Sequence, residues 1–208
     1  MTAFAGWLTP VAGAALVAVL ELDVVQVGQF MLSRPLVLGP LLGLLFAAPQ
    51  AGLALGLCCE FLSLDDMPVG DRLPLNVTVA VAAALLLTRS PRPLLPAVAL
   101  PVGLAAGWVH QRIETALRYR RQALCGTAER RVQDGGMPPW GRLLFGALAE
   151  QAAATFVVLL ACVCLVGPVL SGLWLRAPHG VLAGLDLGWR LAPWLGLGVA
   201  LYALRVRP

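Results

Sequence analysis

Charged side chains are scarce in this sequence. Only 12% of its 208 residues are Asp, Glu, Lys or Arg, and lysine is absent, so all 15 basic residues are arginine. Apolar residues make up 59% of the chain and its mean hydropathy is +0.83, whereas apolar residues form about half of an ordinary soluble domain. No long block of mixed polar composition interrupts the apolar runs. The composition therefore excludes a separate soluble catalytic domain and predicts a polytopic membrane protein, with residues 1–208 forming a single membrane-embedded domain.

Cysteine pairs and metal-binding spacings are also lacking. The five cysteines are odd in number, include no Cys-x-x-Cys motif and lie mostly in apolar runs, which argues against a disulfide framework and against a zinc site. The two histidines, His110 and His179, have no second His or Cys close to them in sequence. We interpret both as structural residues. The sequence predicts no metal and no cofactor, and no DNA or RNA recognition motif accompanies the arginines.

Three consecutive apolar runs are unusually short. Residues 35–48, 51–64 and 73–88 each end at Pro, Gly or a charged residue and fall short of the roughly 20 residues that a membrane-spanning helix needs. Such lengths are typical of broken or re-entrant helices, which are tolerated at membrane depth where protein or a polar cavity surrounds them. Further apolar segments are found at 3–20, 93–109, 143–170 and 187–204.

Several glycines recur at a spacing of four residues, which allows two helix backbones to approach closely. These pairs are Gly39 with Gly43, Gly52 with Gly56, and Gly103 with Gly107. We therefore expect tight helix packing within the short apolar runs and at the start of the segment that follows them.

The arginines concentrate in one loop. Residues 111–142 carry seven arginines and three acidic residues, and such a basic loop beside apolar spans is expected on the cytoplasmic side, together with the C-terminus. Within it, Ile113, Leu117 and Leu124 recur at helical spacing, which predicts an amphipathic helix at about 111–133 on the cytoplasmic membrane surface. The predicted fold class is thus all-α, with several full spans, short broken or re-entrant helices at about 35–88, and this amphipathic helix.

Residues between 33 and 76 resemble a known family. Ser33-Arg34-Pro35-Leu36-Val37, then Gly52-Leu-Ala-Leu-Gly56 with Glu60, and then Pro68-Val69-Gly70 with Pro74 and Asn76, resemble in order and spacing the IIC membrane subunit of the mannose/fructose/sorbose family of the bacterial phosphotransferase system. The resemblance covers about residues 20–90.

The resemblance implies a function and a set of partners. It implies a subunit of the bacterial inner membrane that binds a hexose-type sugar within the bilayer and translocates it together with a IID membrane subunit, as part of an oligomer. A cytoplasmic IIB protein, supplied by IIA, would phosphorylate the sugar, so the chain would need no catalytic residues of its own.

The resemblance also implies site residues. Glu60 matches the family's sugar-site glutamate, and Asn76 matches a position where the family usually has Asp. Asp23 and Gln29 lie near the family's polar pair before Arg-Pro. Asp66 is a further candidate, since residues 60–76 concentrate carboxylates and acids at membrane depth are usually functional. A carboxylate can accept two sugar hydroxyls, and an amide can both donate and accept.

Other interpretations stay open. Glu60 at the end of an apolar run is also compatible with an interfacial carboxylate that reaches water, and Asp66 with a solvated loop charge. The family's Leu-Gly-Asp is replaced here by Phe46-Ala47-Ala48, which leaves a regulatory relative without transport as an alternative. A substrate-capture subunit of another importer is a second alternative. A membrane enzyme with Mg²⁺ on the acids of 60–71 is a third, although Pro68 and Gly70 would break the helix that such a site needs.

The sugar-ligand interpretation of Glu60 predicts an unequal pair of mutants. Glu60→Gln should weaken hexose binding well beyond the effect of Asp66→Asn, because it removes the charged acceptor of the proposed site. Equilibrium sugar binding by the inserted, assembled proteins measures this difference. Equal and small effects would remove Glu60 from the site.

Overall fold

The computed structural model describes residues 2–24, 26–63, 73–174 and 176–206. These residues form helices and connecting turns, and no strand is found among them. The helices are α1 (Thr2–Leu20, followed by a 3₁₀ turn at Glu21–Val24), α2 (Pro35–Leu45), α3 (Pro49–Leu62), α4 (Val77–Thr88), α5 (Pro96–Gln133), α6 (Trp140–Ala161), α7 (Gly167–Trp174) and α8 (His179–Val206).

The three short apolar runs form three short helices, as predicted. Helices α2, α3 and α4 have 11, 14 and 12 residues, which at 1.5 Å per residue gives lengths of about 16 to 21 Å. A hydrocarbon core is about 30 Å thick, so none of the three could cross it alone. Proline opens α2 and α3 at Pro35 and Pro49, where its missing N–H costs nothing.

Glycine lets α2 and α3 pack backbone to backbone as a hairpin. A Cβ on Gly52 would collide with the carbonyl oxygen of Gly39, and a Cβ on Gly56 would lie 2.5 Å from the carbonyl oxygen of Pro35. The predicted close approach of these helices is confirmed. The third glycine pair brings α5 against α4 in the same way, because Gly103 and Gly107 face backbone carbonyls of α4 and of its N-cap residue.

Helix α4 lies at the centre of the fold. Every residue from Thr78 to Leu87 is buried, and α4 packs against α1, α2, α3, α5 and α6. Its sequence is apolar on all sides, which is the pattern of a helix that is surrounded by protein. The ends of α4 are therefore fixed by the elements around it.

Helix α5 is longer than the sequence suggested. The apolar segment 93–109 and the amphipathic helix expected at 111–133 form one continuous helix, Pro96–Gln133. No glycine or proline lies between Gly107 and Gly126, so nothing in the sequence breaks the helix where its composition changes from apolar to basic. The separate surface helix expected from the sequence is therefore wrong, and these residues form the basic second half of α5.

The second half of the chain contains a long apolar helix. Helix α6 continues through a π-helical turn at Cys162–Val166 into α7. Together Trp140–Trp174 is, among the described helices, the one whose length and hydropathy suffice to cross a membrane. Helix α8 packs on α3 through Gly196 against Phe61, while large apolar side chains such as Trp194 remain exposed.

The glycine contact in the hairpin makes a testable prediction. Gly52→Ala should destabilise the protein by about 1–3 kcal/mol, because its Cβ has to displace the backbone of α2. The control is Gly126→Ala in α5, where nothing lies within 4 Å of the new Cβ and where helix propensity favours alanine. Thermal unfolding in detergent measures both changes, and equal stabilities would contradict the contact.

Candidate functional site

The ends of four helices meet at one level of the bundle, which we call the polar level. The end of α1 reaches the start of α4, where Asn76 Nδ2 donates to Glu21 Oε1 at 3.0 Å. The start of α2 also reaches α4, because Thr78 Oγ1 donates to the carbonyl oxygen of Ser33 at 2.9 Å. Since α3 returns antiparallel to α2, its C-terminal end lies at this level too.

Glu60 joins the end of α3 to the start of α2. Its carboxylate accepts from Arg34 Nη1 at 3.0 Å and from the backbone N–H of Leu36 at 3.2 Å. Leu36 lies in the first turn of α2, where the helix dipole favours a negative charge. The Arg34 side chain is 56% exposed and that of Glu60 is 12% exposed. Each oxygen of Glu60 accepts one of these bonds and retains further acceptor capacity.

Asp23 holds the loop between α1 and α2. Its two carboxylate oxygens accept from the backbone N–H groups of Phe30 and Leu32, both at 2.7 Å. Gln29 and Met31 in this loop have φ of 56° and 63°, in the left-handed region that residues other than glycine rarely occupy. Asp23 stabilises this conformation, and the loop places Gln29 at the surface.

Asn76 forms hydrogen bonds through both ends of its amide. Its Oδ1 accepts from the backbone N–H of Val79 at 2.9 Å and so caps α4. This bond fixes which end of the amide carries hydrogens. Nδ2 then donates to Glu21 Oε1 and to His110 Nδ1, each at 3.0 Å.

Four side chains close a hydrogen-bonded circuit, which we call the polar ring: Glu21, Asn76, His110 and Thr155. Because Nδ1 of His110 accepts from Asn76, a neutral imidazole carries its proton on Nε2 and donates to Thr155 Oγ1 at 2.9 Å. The Thr155 hydroxyl donates onward to Glu21 Oε2 at 2.9 Å. Glu21 is 4% exposed, and His110 and Thr155 are fully buried.

Gln151 and Arg121 extend the polar ring toward the basic half of α5. Gln151 Nε2 lies 3.3 Å from both oxygens of Glu21, and Arg121 Nη2 donates to Gln151 Oε1 at 2.6 Å. The side-chain amide of Gln151 thus links the positively charged Arg121 to the carboxylate of Glu21. Arg120 and Glu150, the neighbours of these two residues, form an ion pair at 3.1 Å.

The polar ring also brings together groups that could ligate a metal. Ligand atoms of Glu21, His110 and Glu114 lie within 4.8 Å of one another. Both ring nitrogens of His110 already make hydrogen bonds, so a metal would have to displace Asn76 or Thr155. The donor and acceptor pattern is complete without an ion, and we describe the cluster as a hydrogen-bonded ring.

The sequence-predicted residues fall into separate groups. Among the described contacts, Glu60 pairs with Arg34 while Asn76 belongs to the polar ring, and Asp66 lies outside the described residues. His110, interpreted from sequence as an isolated structural residue, lies in the ring, and Glu21 was missed. The signal for both was weak: Glu114 lies four residues after His110, and Glu21 follows an apolar run.

Comparisons with known proteins point to one family. Residues 9–207 match the sequence model of the family described as the sorbose-specific IIC component of the PTS system. No curated protein sequence matches the chain. The structure is similar to a chain in the cryo-electron microscopy structure of a complex of the mannose transporter ManYZ and microcin E492 (MceA), with a TM-score of 0.63 and 17% identity over 98% of this chain and 81% of that one.

Thr155→Val tests the polar ring. The change keeps the side-chain shape but leaves the Nε2 donor of His110 without its partner and removes the shorter of two bonds to Glu21 Oε2, which retains Gln151 at 3.3 Å. This should cost about 1–3 kcal/mol. Thr127→Val on the exposed face of α5 is the matched control, since Thr127 bonds only within its own helix. Chemical or thermal unfolding in detergent compares the two variants. Indistinguishable stabilities would contradict the closed ring.

Proposed function

Because the chain belongs to the sorbose-specific IIC family of the sugar phosphotransferase system, we propose that it is the sugar-translocating membrane subunit of such a system. In this proposal residues 1–208 form a single membrane-embedded transporter domain that binds a hexose-type sugar within the bilayer. The family match over most of the chain and the transporter-like fold support the assignment.

The observation that carries the sugar site is the setting of Glu60. Its carboxylate lies at the end of two helices that are too short to span a bilayer and remains partly exposed while Arg34 and a helix N–H hold it in place. Sugar hydroxyls both donate and accept hydrogen bonds. Glu60 offers acceptors and Arg34 offers further donors, so the pair can bind a hydroxylated ligand at two neighbouring oxygens.

The other candidate residues take different roles in this proposal. Asn76 can accept one sugar hydroxyl on the Oδ1 lone pair that Val79 leaves free. Both oxygens of Asp23 bind the backbone of the 26–34 loop, so Asp23 acts by positioning that loop, from which Gln29 contacts substrate. Asp66 remains a candidate ligand.

The proposed partners follow from the family and from the exposed surface. The similar solved structure contains the mannose transporter ManYZ, and we propose a IID subunit as the membrane partner here, within a larger oligomer. Exposed apolar side chains on α8 such as Trp194 and Leu195 suit contact with lipid or with that subunit.

We place residues 111–142 and the C-terminus on the cytoplasmic side of a bacterial inner membrane. There the IIB protein, phosphorylated by IIA, transfers its phosphoryl group to the sugar, and this chain supplies no catalytic residue of its own.

Sugar binding tests the proposal. The chain is purified together with a IID subunit, and equilibrium binding is measured for a panel of hexoses and amino sugars. Saturable binding of one sugar class is the expected result and names the substrate. A folded complex that binds none of them would contradict transport and favour a regulatory relative.

Arg34→Gln should weaken that binding by roughly tenfold, the equivalent of about 1.4 kcal/mol, because it removes the charged donor that orients Glu60. Arg131→Gln is the control, because Arg131 is an exposed arginine near the end of α5. Equilibrium binding of the same sugar to both variants measures the difference. Equal affinities would exclude Arg34 from the site.

A further inference from the structure

The polar ring has a defined direction of hydrogen bonding. Capping of α4 through Oδ1 forces Asn76 to present both N–H groups of its amide to the ring. The two atoms that receive them, Glu21 Oε1 and His110 Nδ1, are both acceptors in this arrangement. Every step of the ring therefore depends on a donor at position 76 and on a carboxylate at position 21.

We propose that Glu21 and His110 are positioning residues that hold the amide of Asn76. Positions 21 and 76 together require one carboxylate and one amide, and the two groups can be exchanged between these positions. Nothing in the family match assigns this role to either residue. The inference rests on the proposed function only in taking Asn76 as part of the sugar site. Its remaining content concerns the protonation of His110 and is independent of sugar.

A second carboxylate at position 76 would break this arrangement. In Asn76→Asp the cap on Val79 can persist, but the other oxygen would face Glu21 Oε1 and His110 Nδ1 at the distances where an N–H now donates, 3.0 Å. Two buried carboxylates in contact repel each other. One further proton relieves this repulsion, either on Nδ1 of the imidazole or shared between the two carboxylates.

Exchanging the two groups should restore three of the four bonds of the ring, each with its direction reversed. In the double variant Glu21→Gln/Asn76→Asp, the new amide at 21 donates to the new carboxylate at 76. His110 then donates from Nδ1 to that carboxylate, and its Nε2 accepts from the hydroxyl of Thr155. The amide oxygen at 21 still accepts from Gln151, but it loses the bond from Thr155, whose one proton now goes to His110. The tautomer of His110 is therefore inverted while the number of charges stays the same.

The groups that face His110 are few, which makes its tautomer a specific readout. Glu21 reaches it from the turn after α1 and Glu114 from its own helix. Thr155 comes from α6 and Asn76 from the cap of α4, while Gln151 and the charge of Arg121 act on His110 through Glu21. The chain contains only one other histidine, His179, so the ring-nitrogen resonances can be assigned by a His179→Gln reference sample.

The experiment combines nitrogen-15 NMR of the histidines with sugar binding, on the full chain in complex with its IID subunit. We expect wild-type His110 protonated on Nε2 alone and the double variant protonated on Nδ1 alone, while Asn76→Asp holds one further proton, on Nδ1 of His110 or between the two carboxylates. Sugar affinity should fall by about tenfold in Asn76→Asp and return to within about threefold of wild type in the double variant, as for a strongly coupled pair. Glu129→Gln, which removes an exposed carboxylate near the end of α5, is the control and should change neither readout.

The outcomes separate this inference from the proposed function. If Asn76→Asp does not fold, comparison of the His110 tautomer in the wild type and in the double variant still tests the inference. The same His110 tautomer in both proteins, or a double variant that binds no better than Asn76→Asp, would overturn the exchange. A wild-type complex that binds no sugar but shows the inverted tautomer in the double variant would overturn the proposed function and leave the positioning roles intact.

Discussion

The fold depends on the placement of one buried carboxylate, Glu21, at 4% exposure. An ionised carboxylate removed from water is costly unless hydrogen bonds and charge compensate it. Donors from α4 and α6 supply those bonds, and an arginine of α5 supplies charge through Gln151. Because these groups come from separate helices, the carboxylate is fully compensated only when α1, α4, α5 and α6 are all in register.

Glycine contacts set the distances that this arrangement needs. Gly107 brings the backbone of α5 against the carbonyl of Asn76, and His110 lies about one turn further along the same face of α5. A larger residue at 107 would move the imidazole of His110 away from the amide of Asn76, from which it accepts a hydrogen bond. The hairpin of α2 and α3 uses the same device to bring Glu60 to the start of α2. Backbone packing and polar chemistry are therefore coupled at the polar level.

The sequence predicted the parts of the fold that depend on local pattern. The lengths of the apolar runs predicted three short helices, and the glycine spacing predicted where backbones touch. It did not predict the polar ring, because Glu21, Asn76, His110 and Thr155 are distant in the chain and each has an ordinary local interpretation. The continuity of α5 was missed because a change of composition was taken for a boundary although no helix breaker lies there. Tertiary packing decides both features.

The most direct test of the sugar site is an experimental structure of the chain in complex with its IID subunit and the hexose that it binds. We expect sugar hydroxyls within hydrogen-bonding distance of the side chains of Glu60 and Arg34, with Asn76 at the same level and the polar ring intact beneath it. A well-resolved sugar bound elsewhere, with Glu60 still paired only to Arg34 and Leu36, would contradict it.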